Sequence, residues 1–226
     1  MGWLSLAVLL LPLLAAAGLV LAGRFGIGFY DELLDVHFTF VLPFLPALLL
    51  ANALSEELEM QTHTFLFARP TPRSALLIGK ATAVLIPMAL ALIALLPLEY
   101  LVSLIRFPND LGENFGHLFR SIAAAVLGTF GYGALALGIG ARFWRHPFMS
   151  VLGYLVIVES GLGNAPVPLH LVTLHFHLHN IAGLPLPPSY FLDVAVAPWQ
   201  SAIAAVAITA LFGILAARTI DKLDTI

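Results

Sequence analysis

SEELEMQTHTFLFARPTPRSALLIGK, Ser55–Lys80, is a polar island between two hydrophobic blocks. It carries Glu56, Glu57, Glu59, Arg69, Arg73 and Lys80, a concentration of charge that cannot lie in lipid. The blocks on either side can. The island therefore reads as a loop at a membrane surface, joining one membrane-crossing helix to the next, in position to touch something soluble.

Composition supports this reading. The 226 residues are 60% hydrophobic and 10% charged, and mean hydropathy is +0.98. Soluble domains carry about 25% charged residues, so an all-α polytopic membrane protein is expected. A crossing helix needs roughly 20 apolar residues. Six candidates meet or approach that length: about Leu4–Ala22, Phe38–Leu54, Ala81–Leu104, Phe119–Gly140, Phe148–Gly163 and Ala197–Ala217. Glu159 interrupts the fifth, and Pro166 and Pro168 follow it. The first lacks the basic flank of a signal peptide and is read as a retained helix. No linker or soluble domain breaks the chain, so residues 1–226 read as a single transmembrane domain.

Lys and Arg are enriched in cytoplasmic loops. Arg69, Arg73, Lys80, Arg142, Arg145, Arg218 and Lys222 fall on one side of this topology, and Arg24, Arg106 and Arg120 on the other. That bias places both termini and the Ser55–Lys80 loop in the cytoplasm of a multi-pass plasma-membrane or inner-membrane protein. Net charge is −3, so no basic surface points to nucleic acid, and the absence of cysteine excludes thiol chemistry.

Within the island, Ser55 is placed to cap a helix, and the glutamates favour its positive first turn. Arg69-Pro70-Thr71-Pro72 forces an extended turn, and a second helix begins near Arg73. The order of residues resembles the cytoplasmic signature of the type-2 ABC exporter permeases. That family shows an acidic pair, Gly-Thr, a leucine-rich stretch, Pro, Arg, and a Gly-Lys opening the next span. Here Glu57 and Glu59, Thr62, Phe65-Leu66-Phe67, Pro70, Arg73 and Gly79-Lys80 take those places, with Gln61 departing from the Gly.

The resemblance implies six transmembrane helices with a cytoplasmic coupling helix between spans two and three. That helix docks on a separate ATP-binding subunit, and two permeases work with two ATPases. Glu57, Glu59 and Thr62 would lie at or beside the contact and Phe65, Leu66 and Phe67 would form its apolar part. Arg73 and Lys80 would anchor the helix at the membrane surface. A second departure is that the sequence enters its first apolar run after Trp3, without the family's basic elbow helix.

No GxxxxGK[ST] pattern occurs. The chain is therefore expected not to be an enzyme, and to hold no cofactor, ATP and magnesium being bound by the partner. HExxH and GxSxG are also missing.

Two further features carry alternatives. In LHLVTLHFHLHN, Leu169–Asn180, the alternation of His175, His177 and His179 would put three imidazoles on one face of a strand, a possible metal site. The preferred reading is no metal, but an external or re-entrant helix with histidines at the wet interface and no carboxylate near before Asp193. Glu99 and Glu159 lie at or near membrane depth, where ionisable groups are costly and often functional. Glu159 is a candidate for the translocation path. Against that stands a position near the outer interface for both, the reading favoured for Glu99. The rivals to a permease are a membrane scaffold or sensor using the loop as a contact, and a metal-handling protein built on the histidines.

Overall fold

The protein is described by a computed structural model over residues 26–51, 73–163, 168–185 and 196–222. Every regular element among these residues is helical. α1 spans Ile27–Leu50, α2 Arg73–Ser103, α3 Asp110–Glu113 and α4 Phe115–Arg142. α5 covers Pro147–Leu162. A 3-10 segment covers Pro168–Val172, α6 covers Leu174–Ala182 and α7 covers Pro198–Lys222.

Apolar chain in lipid must satisfy its own backbone hydrogen bonds, and helix does so within one segment. Four helices are long and apolar enough to cross a membrane: Ile27–Leu50, Leu77–Ser103, Phe115–Arg142 and Pro198–Thr219. They correspond to the second, third, fourth and sixth expected spans. The expected fifth forms a helix of eight α-type and eight π-type residues, shorter than the roughly 20 a crossing needs. The expected first span, Leu4–Ala22, and the coupling segment from Ser55 to Pro72 lie outside the described residues.

α1 begins eleven residues before the expected Phe38. Asp31, Glu32 and Asp35 made Ile27–Val36 read as loop. In the helix they leave an unbroken buried stripe at Phe29, Tyr30, Leu33, Leu34, His37 and Phe38, the 3.6-residue spacing of one face. Past it, the helix loosens to π-type bonding over His37–Val41. Pro43 explains this: it has no N–H, and its ring crowds the carbonyl four residues back, so the ladder slips register.

α4 is the hub, packing against α1, α2, α5, α6 and α7. Glycines in its second half let these neighbours approach closely. A Cβ on Gly138 would lie 2.8 Å from the Phe212 carbonyl oxygen of α7, and one on Gly140 would lie 2.6 Å from that of Ala51 at the end of α1. Both obstacles are backbone and cannot rotate away. Gly140→Val is therefore expected to cost about 1–3 kcal/mol through overpacking, measured as thermal unfolding in detergent. Gly153, with nothing within 4 Å of a Cβ, should tolerate Ala.

The two ends of the bundle differ. At one end the Gly26 amide donates to Ser103 O at 2.9 Å, joining the starts of α1 and the end of α2, and His117 at the start of α4 meets Asp31 at 2.7 Å. At the opposite end Ala51 meets Gly140. The start of α2, the α4–α5 corner with Arg142 and Arg145, and the end of α7 with Arg218 therefore share one end. The outward faces of α2 and α7 stay apolar and exposed, with Leu90, Leu98, Leu101, Ile203, Val206 and Leu211, as lipid or a partner helix requires.

Candidate functional site

The charged end is built from chain turns. Arg73 opens α2, and Gly79-Lys80 fall in its second turn, with Thr82 bonding back to Ile78 O at 2.8 Å and Gly79 O at 3.0 Å. The helix start expected near Arg73 is thus in place. Glu57, Glu59, Thr62, Phe65, Leu66 and Phe67, the other residues assigned to coupling, lie outside the described residues.

The other end holds a buried polar layer organised around Glu159. This residue sits on the π-type half of α5 and is 3% exposed. One carboxylate oxygen accepts from the Leu174 amide at 3.2 Å, the other from the His175 amide at 2.8 Å. The Tyr132 hydroxyl of α4 adds a bond at 3.3 Å. These amides belong to the first turn of α6, whose unpaired N–H groups and positive dipole end call for an anion. Thr173 completes the cap by accepting from the Phe176 amide at 3.3 Å. At the far end Gly183 adopts φ 83°, the left-handed conformation glycine favours. Arg120 of α4 donates to Ile181 O at 3.0 Å and Asn180 O at 3.4 Å, placing a cation at the negative end of the helix dipole.

The histidines are on this helix, not on a strand, so their alternation does not gather them on one face. His175 and His179 share a face with ring centroids 4.0 Å apart, as i, i+4 spacing dictates. His177 points elsewhere. All three are buried, at 7%, 4% and 3% exposure, which corrects their expected place at a wet interface. The rings of His177 and His179 have hydrogen-bond partners of their own. His177 Nε2 donates to Leu171 O at 2.8 Å, and Nδ1 accepts from the Ser201 hydroxyl at 3.1 Å. That hydroxyl in turn accepts from Asn180 at 2.8 Å. His179 Nδ1 donates to His175 O at 3.0 Å, and Nε2 meets Asp35 of α1 at 3.1 Å. Burial, reinforced by the neighbouring His179, pushes His175 down to about 3. Burial also holds His177 below the usual imidazole range. Both therefore stay neutral at physiological pH. Among the described residues no group of three His, Asp or Glu is placed to hold a metal ion.

Glu99 lies two residues past Pro97 on α2 and is fully buried, correcting the expectation that it reaches water at the interface. Its Oε2 lies 3.6 Å from Nδ1 of His37, which donates to Leu33 O at 3.0 Å. Both Glu99 oxygens, His37 Nε2 and Ser103 Oγ have no hydrogen-bond partner among the described residues. Leaving such groups buried costs about 1–3 kcal/mol each. Glu99→Met, of similar shape, is accordingly expected to raise thermal stability by that order. A fall in melting temperature would show that Glu99 is bonded after all.

His37 and Glu159 each sit on a π-type segment, and Glu99 beside a helix proline. Departures from regular helix thus coincide with the ionisable groups held inside the bundle, as is common at functional positions. Asp35, Tyr132 and Arg120 were not singled out in the sequence. Their partners lie far along the chain, Asp35 being 144 residues from His179, and no local pattern announces them.

No curated protein and no solved structure matches the chain. The family model described as ABC-2 family transporter protein matches residues 16–159, a segment that includes the charged loop and ends at Glu159. With more than half of its length so matched, and with helices apolar enough to cross a bilayer, the chain belongs to the ABC-2 transporter family.

Proposed function

We propose that the chain is the membrane-spanning permease subunit of an ATP-binding cassette exporter, moving a substrate out of the cytoplasm with ATP hydrolysed by a separate subunit. The observation that carries this is the family match across the Ser55–Lys80 loop, with its ordered Glu57, Glu59, Thr62, Phe65-Leu66-Phe67 and Arg73. In this reading the loop forms a coupling helix on the ATP-binding subunit, two permease copies assemble with two such subunits, and ATP and magnesium bind only the partner. The absence of a phosphate-cradling motif in the sequence fits that division. The metal-handling alternative loses support because the rings of His177 and His179 are bonded to other partners and His177 does not share the face of His175 and His179.

The experiment is affinity purification of the tagged chain with its ATP-binding subunit, followed by photolabelling with an azido-ATP. Label is expected on the partner and not on the chain. Label on the chain alone would refute the division of labour.

The orientation is tested separately. Ser55→Cys and Ser189→Cys should react with an impermeant maleimide from opposite sides of the membrane, Ser55 from the cytoplasm. Reaction of both from outside would overturn the topology.

A further inference from the structure

At the charged end, α4 and α5 meet in a corner whose surface is concave. The hollow is about 200 Å³ and is lined by Arg142, Phe143, Trp144, Arg145, His146 and Ser150. Two of these are permanent cations, and none is acidic. No carboxylate among the described residues forms an ion pair with Arg142 or Arg145. The Arg142 guanidinium instead lies 5.9 Å from the Phe143 ring centre, and that of Arg145 lies 5.5 Å from the Trp144 ring. His146 and Ser150 bracket the first turn of α5, and no side chain caps that turn. The hollow therefore combines two fork-shaped donors with the positive end of a helix, a combination that selects a phosphate-type anion.

The setting narrows the source of that anion. Arg142 is the last residue of a membrane-crossing helix, so the hollow opens where the chain leaves the apolar zone. Phe143 is 55% exposed there, beside Trp144, and aromatic residues at such a level belong to the headgroup belt. A free anion would use the arginines and the helix end. A lipid would use the exposed ring as well. We propose that the Arg142–His146 corner binds the headgroup of an anionic phospholipid. The phosphodiester would lie between Arg142 and Arg145 over the start of α5, and the glycerol and upper acyl chain against Phe143 and Trp144.

The test uses the full chain carrying Trp3→Phe and Trp199→Phe, which leaves Trp144 as the only tryptophan. It is reconstituted in phosphatidylcholine vesicles with a minor share of acyl-brominated phosphatidylglycerol, or of equally brominated phosphatidylcholine. The brominated anionic lipid is expected to quench Trp144 well beyond the neutral one. In Arg142→Gln/Arg145→Gln that preference should fall by about 30-fold, the combined weight of two basic residues at an anionic surface. Arg218→Gln, at the same end of the bundle, should leave it unchanged. Equal quenching by both lipids, or a preference that survives the double substitution, overturns the proposal. So does an effect that inorganic phosphate abolishes, because that would assign the hollow to a free anion. Both arginines are exposed, so the double variant is expected to fold; unaltered thermal unfolding checks this.

Discussion

Glu57→Lys, Phe65→Ala and Leu66→Ala are each expected to remove most ATP-driven transport while the chain still inserts and folds. In the proposed assembly the loop carrying these residues is the mechanical link to the ATPase. An apolar anchor at the centre of a contact typically costs about 2 kcal/mol or more on truncation, a loss of some 30-fold in affinity. Phe65→Ala and Leu66→Ala should therefore weaken association with the ATP-binding subunit. Glu57→Lys reverses charge where a partner would be matched, and like charges across an interface are strongly unfavourable. It should uncouple hydrolysis from transport. Insertion should survive because the loop is outside the apolar spans. The measurement pairs pull-down of the ATP-binding subunit with transport in vesicles. Full binding and full transport in all three variants would remove the loop from the coupling path.

Glu159→Leu is expected to cost on the order of 3 kcal/mol or more of stability and to release α6. The substitution strips an acceptor from two buried amides, Leu174 and His175, and from the Tyr132 hydroxyl. Each buried donor left unpaired costs about 1–3 kcal/mol. Thr173 still caps the Phe176 amide, so the helix is expected to loosen at its first turn rather than melt throughout. Glu159→Gln keeps one carbonyl acceptor and should lose less than half as much. Thermal unfolding of the two variants separates a capping role from a role in translocation. If Glu159 serves the substrate path, Gln should leave stability nearly intact and abolish transport. If it serves α6, loss of stability and loss of transport should run together.

The helical class and the positions of most spans were legible because they follow from long apolar runs, and lipid leaves such runs few alternatives. The third, fourth and sixth expected spans lie within a few residues of the crossing stretches Leu77–Ser103, Phe115–Arg142 and Pro198–Thr219 of α2, α4 and α7. The start of α1 was not legible. Three acidic residues in ten outweighed a buried stripe that shows only when the helix is assumed. For the histidine segment the preferred reading, a short helix, matches α6, but the burial of its histidines was not legible; Thr173, Gly183, Glu159 and Arg120 supply the ends of that helix. Two of those four are remote in sequence and meet α6 only after α4 and α5 have packed. The burial of Glu99 was likewise hidden, because the residue lies near the end of an apolar run whether or not α1 covers it. Arg73 and Gly79-Lys80 could be read from their order alone, which is why the family resemblance was available before any fold.

The proposed exporter depends on a separate ATPase to drive it. The most direct measurement of that dependence is efflux from, or accumulation in, sealed vesicles holding the chain and its ATP-binding subunit, compared with vesicles holding either alone. ATP-dependent movement of a substrate away from the cytoplasmic face is expected only when both are present. It should be lost on mutating the partner's ATP site and on Glu57→Lys. Transport by the chain alone, or transport that persists without ATP hydrolysis, would contradict the account.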